Sequence, residues 1–501
     1  MYYNDCYCGT AVTCRYLLPD DVADMTRHQD VQARFLCAVA RTILDHPMLL
    51  VGLVGDKTKS PAYVRLDSIN LDDMIEWRVV GSSEDYAATA NACLSEQLDT
   101  KFTHLDTRPG WKITVLRSER SAFLDVQFVF RHTTSDGMGA KIFHQSLLEH
   151  VNNPDADPSQ IGLEGSVLTL RHDHVHYPPP MERMGSFSLT PRFTVSTIWK
   201  ELKPAFLAKK PTRTQLSWGP IKPGPAKTER RTIRIGADKA TKILEACRAH
   251  QTTVTGLLHG IVFATLLWET RSTGYTASFH SGTAMDLRRF MSAKPAGEPA
   301  IEMDPHKTIV NLMTVTGHDF DTATVEQLSK KMKKPDGDKG MAHMEDVVWT
   351  VAKSVRAEIQ AKVDQGLKND VMALMKFVGD WRKEVARAAK KPRPETWQVT
   401  NLGVMDGAPP CSTAEGASGW RIGRAVFSVC AETARPLFVF SAMSVKGGDM
   451  CVDATWQAEL NDYVEGIAER LVPDLYGWLN YIATSEWQEE GMPPAFGDDL
   501  D

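Results

Sequence analysis

His132 stands four residues before Asp136 in the run Arg131-His132-Thr133-Thr134-Ser135-Asp136-Gly137-Met138-Gly139. An imidazole with an ordinary pKa near ~6.5 can take a proton from an alcohol or amine at neutral pH, so a histidine pinned in a cleft is equipped for general-base catalysis and acyl transfer. Asp136 is near enough to lock the segment in place. Gly137 and Gly139 would let the backbone turn tightly and bring amide groups close to a ligand. The spacing alone leaves a second reading open, because a histidine beside an aspartate in a loop also serves as a turn or a hydrogen-bonded core pair.

Such a loop needs a strand that delivers it and a helix that receives it. Ala122 to Phe130 is rich in aromatic and β-branched residues, and Ala140 to His150 carries Ile142, Phe143, Leu147 and Leu148 at helical spacing. Trp111 to Arg117 reads as a neighbouring strand, and Val22 to Leu49, ending before Pro47, and Ala88 to Lys101 read as helices. These elements predict an α/β first half. From His172 to Lys227 prolines recur at 178–180, 204, 211, 220, 223 and 225, which breaks any long element and predicts a linker. A second half then begins with a strand at Arg231 to Ile235. Helices are predicted at Ala237 to His250, at Thr252 to Trp268 with Thr252 or Thr253 as N-cap, at Met344 to Val363, at Met372 to Lys391 and at Asn461 to Ile482. Trp420 to Ala431, Leu437 to Val445 and Met450 to Thr455 read as a closing antiparallel meander.

His132-x-x-x-Asp136-Gly137 at a strand end resembles the signature of the chloramphenicol-acetyltransferase-like superfamily of CoA-dependent acyltransferases. That superfamily includes the plant BAHD enzymes, the fungal alcohol acetyltransferases and the condensation domains of peptide synthetases. Three further segments follow in the matching order. Asp286-Leu287-Arg288 is similar to its D-x-R segment, Lys307 to Val315 to a strand that carries an asparagine, here Asn311, and Gln398 to Asp406 to the S-N-L-G segment. Arg131 stands where condensation domains have a first histidine, and the D-F-G-W-G segment of the plant enzymes is absent. Thr400 replaces the usual serine and keeps a hydroxyl. These departures point to the fungal alcohol acetyltransferase branch.

The resemblance implies an α/β fold of two chloramphenicol-acetyltransferase-like sandwich domains with a tunnel at their interface: residues 1–171, a linker at 172–229, and residues 230–501. It implies transfer of an acyl group, acetyl from acetyl-CoA, to a hydroxyl of a small-molecule acceptor such as a secondary metabolite, with His132 as base and CoA thioester as co-substrate. Arg288 is then the expected partner of a structural Asp136. The Gly137 amide and the Thr400 and Asn401 side chains are candidate oxyanion donors, and Lys390, Lys391 and Arg393, or the run Lys330 to Lys334, are candidate phosphate ligands. Two rivals remain on the same fold: a condensation-type enzyme drawing on a carrier-protein thioester or an amine acceptor, and a non-catalytic binding protein.

Composition bounds the partners. The chain has 501 residues, 57 Lys and Arg against 63 Asp and Glu, and 43% hydrophobic content, enough for two domain-sized cores and too evenly charged to recruit nucleic acid or an anionic membrane. No basic-then-apolar leader opens the sequence, and the apolar run from Leu257 to Trp268 is too short to span a bilayer. A cytoplasmic, monomeric protein is expected. Nine scattered cysteines suit reduced thiols. Neither Cys6, Cys8 and Cys14 nor His172, His174 and His176 has the companions of a zinc site, so no metal is assigned.

Overall fold

The computed structural model describes residues 7–153, 158–173, 175–202, 224, 226–271, 277–294, 303–332, 343–388, 393, 395–409, 419–433, 436–460 and 466–484. It opens with β1 (Thr10–Leu17), absent from the sequence reading, in which buried Val12, Cys14 and Tyr16 alternate with half-buried Thr13, Arg15 and Leu17. Next come α1 (His28–Asp45), shorter than the span read from sequence, the hairpin β2 (Val51–Val54) and β3 (Ala62–Arg65), then β4 (Ser68–Asn70) and β5 (Ile75–Val80). Helix α2 (Tyr86–Asp99) leads to β6 (Trp111–Ser118), β7 (Phe123–Phe130) and α3 (Gly137–Asn152). The short strands β8 (Leu163–Glu164) and β9 (Val167–Thr169) join β4 in a small sheet.

The proline-rich stretch is not wholly irregular. It contains α4 (Met181–Met184) and α5 (Pro191–Leu202), the latter opened by a proline whose fixed φ suits a first helical turn. Residues 203–223 lie outside the described residues. The second half runs β10 (Thr228–Ile235), α6 (Ala237–Ala249), α7 (Val254–Thr270), β11 (Phe279–Asp286), β12 (Met313–Phe320), α8 (Thr322–Ser329) and α9 (Glu345–Gln365). After these come α10 (Trp381–Ala388), β13 (Trp397–Met405), β14 (Arg421–Val429), β15 (Phe438–Val445), β16 (Met450–Gln457) and α11 (Ile467–Thr484). Thr253 caps α7 by accepting from the Gly256 amide, while Thr252 bonds the Ala352 carbonyl instead.

Two sheets organise these elements. The first has the order β14-β1-β7-β6-β5 and the second β10-β16-β15-β13-β11-β12. The predicted meander is therefore wrong at its first strand. β14 leaves its sequence neighbours and pairs antiparallel with β1, Thr10 opposite Val429 and Leu17 opposite Arg421, so the second half completes the first sheet. Trp420, Ile422, Ala425 and Phe427 consequently pack into the first core. The predicted helix Met372 to Lys391 also divides, into a 3₁₀ segment (Val371–Phe377) and α10, because Asp380 after Gly379 caps the new start by accepting from the Arg382 amide.

Two ends of the second sheet cross the same way. Leu402 and Met405 of β13 and Met443 and Val445 of β15 belong to the first core, while Trp397, Val399, Phe438 and Phe440 earlier in the same strands belong to the second. Each such side chain removed from water contributes about 1.5 to 3 kcal/mol. The halves are thereby joined by shared core rather than by surface contact. No helix among the described residues is long and apolar enough to cross a membrane.

Candidate active site

Strand β7 and helix α3 hold the His132 loop from both sides. Phe128 of β7 stacks on Phe143 of α3 with ring centroids 3.8 Å apart and planes within 9°. Inside the loop the Thr134 hydroxyl donates to the Arg131 carbonyl at 3.2 Å, and from the β3 hairpin Tyr63 donates its hydroxyl to the Thr133 carbonyl at 2.6 Å. His132 is half-buried, edge-on to Tyr7 and Phe130 with ring centroids 6.0 and 6.2 Å away.

Asp136 turns to other partners. Its carboxylate takes two bonds from Arg288, at 2.8 and 3.0 Å, one from the Leu312 amide at 2.8 Å and one from the Gly139 amide at 2.7 Å, the last capping α3. Arg288, 1% exposed, also donates to Asp286 and to the carbonyls of Pro305 and Val310. The pair is buried but fully hydrogen-bonded, the condition under which two charges tolerate loss of water.

Asn311, just before β12 and outside any strand, reaches the histidine directly. Its side-chain nitrogen donates to the His132 carbonyl at 2.6 Å and lies 3.1 Å from His132 Nδ1. The carbonyl can only accept, so it fixes the amide with nitrogen inward. Burial pulls the His132 pKa below its ordinary value, against the upward pull of Asp136 and of hydrogen bonds to the carbonyls of His132 itself and Ser135. The resting imidazole is therefore neutral at pH 7.

The glycines serve packing, not turning. Neither Gly137 nor Gly139 has a positive φ. A Cβ on Gly137 would lie 2.7 Å from Leu402 and 2.9 Å from Phe427, and one on Gly139 would run into the Ser135 hydroxyl. Gly137 is thus where α3 meets β13, and Lys141 straps the contact by donating to the Val404 carbonyl at 2.6 Å. Sequence gave no signal for Tyr63, Lys141 or Tyr7, whose relevance comes only from what they touch.

Thr400 is buried on β13, two residues before Leu402, and its hydroxyl makes no hydrogen bond among the described residues. Asn401 is already engaged, donating to Thr255 at 3.2 Å and accepting from the Gly403 amide at 2.8 Å. Gly403, at φ +67°, sits where the β13–β15 register breaks. The phosphate candidates fare differently. Lys390, Lys391, Lys333 and Lys334 lie outside the described residues. Arg393 is buried beyond the start of β13, where it donates to Gln457 at 3.0 Å and to the Pro436 carbonyl, with burial pulling its pKa down to about 10. It faces the interior and is not presented to a dissolved phosphate, which corrects that expectation.

His172 is likewise committed, bonding the Leu66 carbonyl at 2.7 Å and the Tyr177 hydroxyl at 2.8 Å, while His176 is exposed and His174 lies outside the described residues. Among the described residues no cluster of His, Cys, Asp or Glu could hold a metal ion.

Residues 32–469 match the sequence pattern of a family described as alcohol acetyltransferase. The probable alcohol acetyltransferase FCK4 of Fusarium pseudograminearum is 27% identical over 450 residues, covering 88% of this chain and 84% of that protein. The probable alcohol acetyltransferase crmB of Aspergillus fumigatus is 21% identical over 472 residues, covering 92% and 90%. Among solved structures, the trichothecene 15-O-acetyltransferase TRI3 of Fusarium sporotrichioides superposes with a TM-score of 0.63 at 13% identity, covering 94% of this chain and 91% of that one. The first condensation domain of the CDA synthetase does so with a TM-score of 0.54 at 11% identity, covering 96% and 91%. The last two establish the shared two-domain α/β fold, and the family match over most of the length establishes the kind of enzyme: this chain is an acyltransferase and belongs to the alcohol acetyltransferase family.

Proposed function

We propose that the protein transfers an acetyl group from acetyl-CoA to a hydroxyl of a small molecule, a secondary metabolite, with His132 as general base. The supporting observation is the division of labour in the loop: Asp136 is spent on Arg288, Leu312 and Gly139, and the imidazole is left neutral beside it. With its proton on Nδ1, the ring would offer the Nε2 lone pair to the acceptor hydroxyl. As the hydroxyl oxygen attacks the thioester carbonyl, its proton passes to Nε2. Collapse of the tetrahedral intermediate expels the thiolate, which takes that proton back and leaves as CoA. No covalent acyl-enzyme is needed.

The oxyanion requires donors fixed in advance. The Gly137 amide at the first turn of α3 and the Thr400 hydroxyl are the candidates, and a donor in such a site is worth about 2.7 to 4 kcal/mol. Asn401 is the weaker candidate because its amide already braces Thr255 and Gly403. The deciding experiment incubates purified protein with acetyl-CoA and a panel of alcohols and amines, reading free CoA and product mass. His132→Ala should lower turnover about 10²- to 10⁴-fold while CoA binding persists. Near-wild-type turnover would remove His132 from the mechanism. A protein that ignored every CoA thioester yet consumed an acylated carrier protein would instead be a condensation-type enzyme.

A further inference from the structure

Where the two halves meet, two polar strand faces look at each other. Thr13 and Arg15 share one face of β1, and the register sets Gln127 and Asp125 of β7 and Val426 and Arg424 of β14 beside them. From the second sheet come Arg230, Thr232 and Arg234 of β10, with Asp453 and Cys451 of β16 next to them. Together with Asn91 of α2 these faces line a cavity of about 50 Å³, and none of the lining belongs to the His132 loop. One water needs about 10 to 15 Å³, so the space is large enough for a small ion.

The charges around it do not balance. Asp453 is buried and spent, accepting from Arg230 at 2.8 Å and from Thr232 at 2.6 Å. Asp125, also buried, is taken by two bonds from Arg15 at 2.8 and 2.7 Å. Arg424 therefore comes no closer to Asp125 than 3.7 Å, and Arg234 no closer to Asp449 than 3.6 Å, both beyond hydrogen-bond reach. Neither guanidinium makes a hydrogen bond among the described residues. Burial pulls the Arg424 pKa below its ordinary value, and Arg15 and Arg234 push it the same way against the upward pull of Asp125. Cys451 supplies no compensating charge, since burial pushes its thiol up to about 12. Two neutral donors are left over as well. The Thr13 hydroxyl is buried without a partner among the described residues. Arg230 donates to the Asn91 side-chain oxygen at 2.7 Å, and because a guanidinium cannot accept, the Asn91 NH₂ group remains a donor.

We propose that this cavity binds one small inorganic anion, chloride or phosphate, between Arg424 and Arg234, with the Thr13 hydroxyl and the Asn91 NH₂ group as further donors. Water could satisfy the hydroxyl and the amide but would leave the surplus positive charge in place, whereas an anion offsets it and accepts from all four groups. The site also has a place in the architecture. Arg424 stands on β14, the strand that the second half lends to the first sheet, and Arg234 on β10 at the edge of the second sheet, so a bound anion ties the two sheets together at their seam. An anion held only by the folded chain stabilises it by mass action.

The test titrates the full-length protein, desalted into sodium gluconate, with sodium chloride or sodium phosphate at constant ionic strength and follows the melting temperature. Gluconate is too large for the cavity and serves as the reference. The wild type should gain melting temperature along a saturating curve with chloride, phosphate or both, and the salt that saturates at the lower concentration identifies the occupant. Half-saturation should move up about 10- to 100-fold in Arg424→Gln, the loss expected for a charge-assisted hydrogen bond, and about 3- to 10-fold in Thr13→Val, which keeps the side-chain shape and loses one neutral donor. The valine variant carries the comparison if the glutamine variant does not fold. An anion bound too tightly to be removed by desalting would flatten the wild-type curve, and ion chromatography of the denatured protein would then find about one chloride or phosphate per chain and less in the variants. The proposal is overturned by a wild type that shows neither a saturating curve nor a retained anion, which would leave water as the occupant. It is overturned equally by variants whose curves coincide with that of the wild type.

Discussion

Asp136 and His132 lie four positions apart in the chain but answer to different neighbours, and variants should separate them. Asp136→Ala leaves the Arg288 guanidinium buried without its carboxylate and removes the α3 cap, so a loss of about 3 to 5 kcal/mol is expected, read as a lower melting temperature together with lower activity. Asp136→Asn keeps an acceptor for the Gly139 and Leu312 amides and should cost less. An alanine variant that lost activity with unchanged melting would make the aspartate a direct participant. For His132 the pH dependence has a defined sign. Its pKa is lowered from 6.5, so the competent neutral form persists below that pH, and the acidic limb of kcat/KM should lie under pH 6.5. A limb above 6.5 would mean that a different group controls the rate. Asn311→Ala should lower kcat more than it raises KM, because the amide holds the histidine and not the substrate.

At the scale of elements, α3 is fixed to β1 by one buried histidine. His144 bonds the Val12 carbonyl at 2.9 Å and the Tyr16 hydroxyl at 3.0 Å, and burial pulls its pKa down to about 4. The folded protein therefore keeps His144 neutral where the unfolded chain would protonate it. Stability is unaffected above pH 6.5 and falls as the pH drops from 6.5 to about 4, by about 3 kcal/mol from this group alone. Urea titrations of wild type and His144→Gln across that range should show a shallower decline in the variant, and parallel declines would contradict the assignment. The contact between α3 and β13 is tested by Gly137→Ala, whose methyl group runs into Leu402 and Phe427. Overpacking of this kind costs about 1 to 3 kcal/mol. Adding Leu402→Ala should restore part of the lost stability, since it removes the nearer of the two clashes. Strictly additive losses would show that the two residues are not coupled.

Taken whole, the molecule has a first sheet that the N-terminal half cannot complete alone. Without β14, β1 presents a row of unpaired N–H and C=O groups at an open edge, the usual template for aggregation. Residues 1–227 expressed alone should be insoluble and should recover on co-expression with residues 228–501, whereas a soluble, folded fragment would contradict the shared-sheet architecture. The sequence by itself determined the strand-to-helix junction around His132, the start of α7 to within Thr252 or Thr253, and the family motifs at Arg288 and Asn311. Each depends on side-chain periodicity or on residues adjacent in the chain, and those are local properties. The sequence did not reveal which sheet β14 joins, because an alternating strand reads alike beside any partner. Nor did it reveal that Arg393 turns inward, that Gly137 is needed for clearance from β13, or that Asn311 grips the His132 carbonyl from 179 residues away. Those were decided only by tertiary structure, since each depends on which distant surfaces the folded chain brings within a few ångströms of one another.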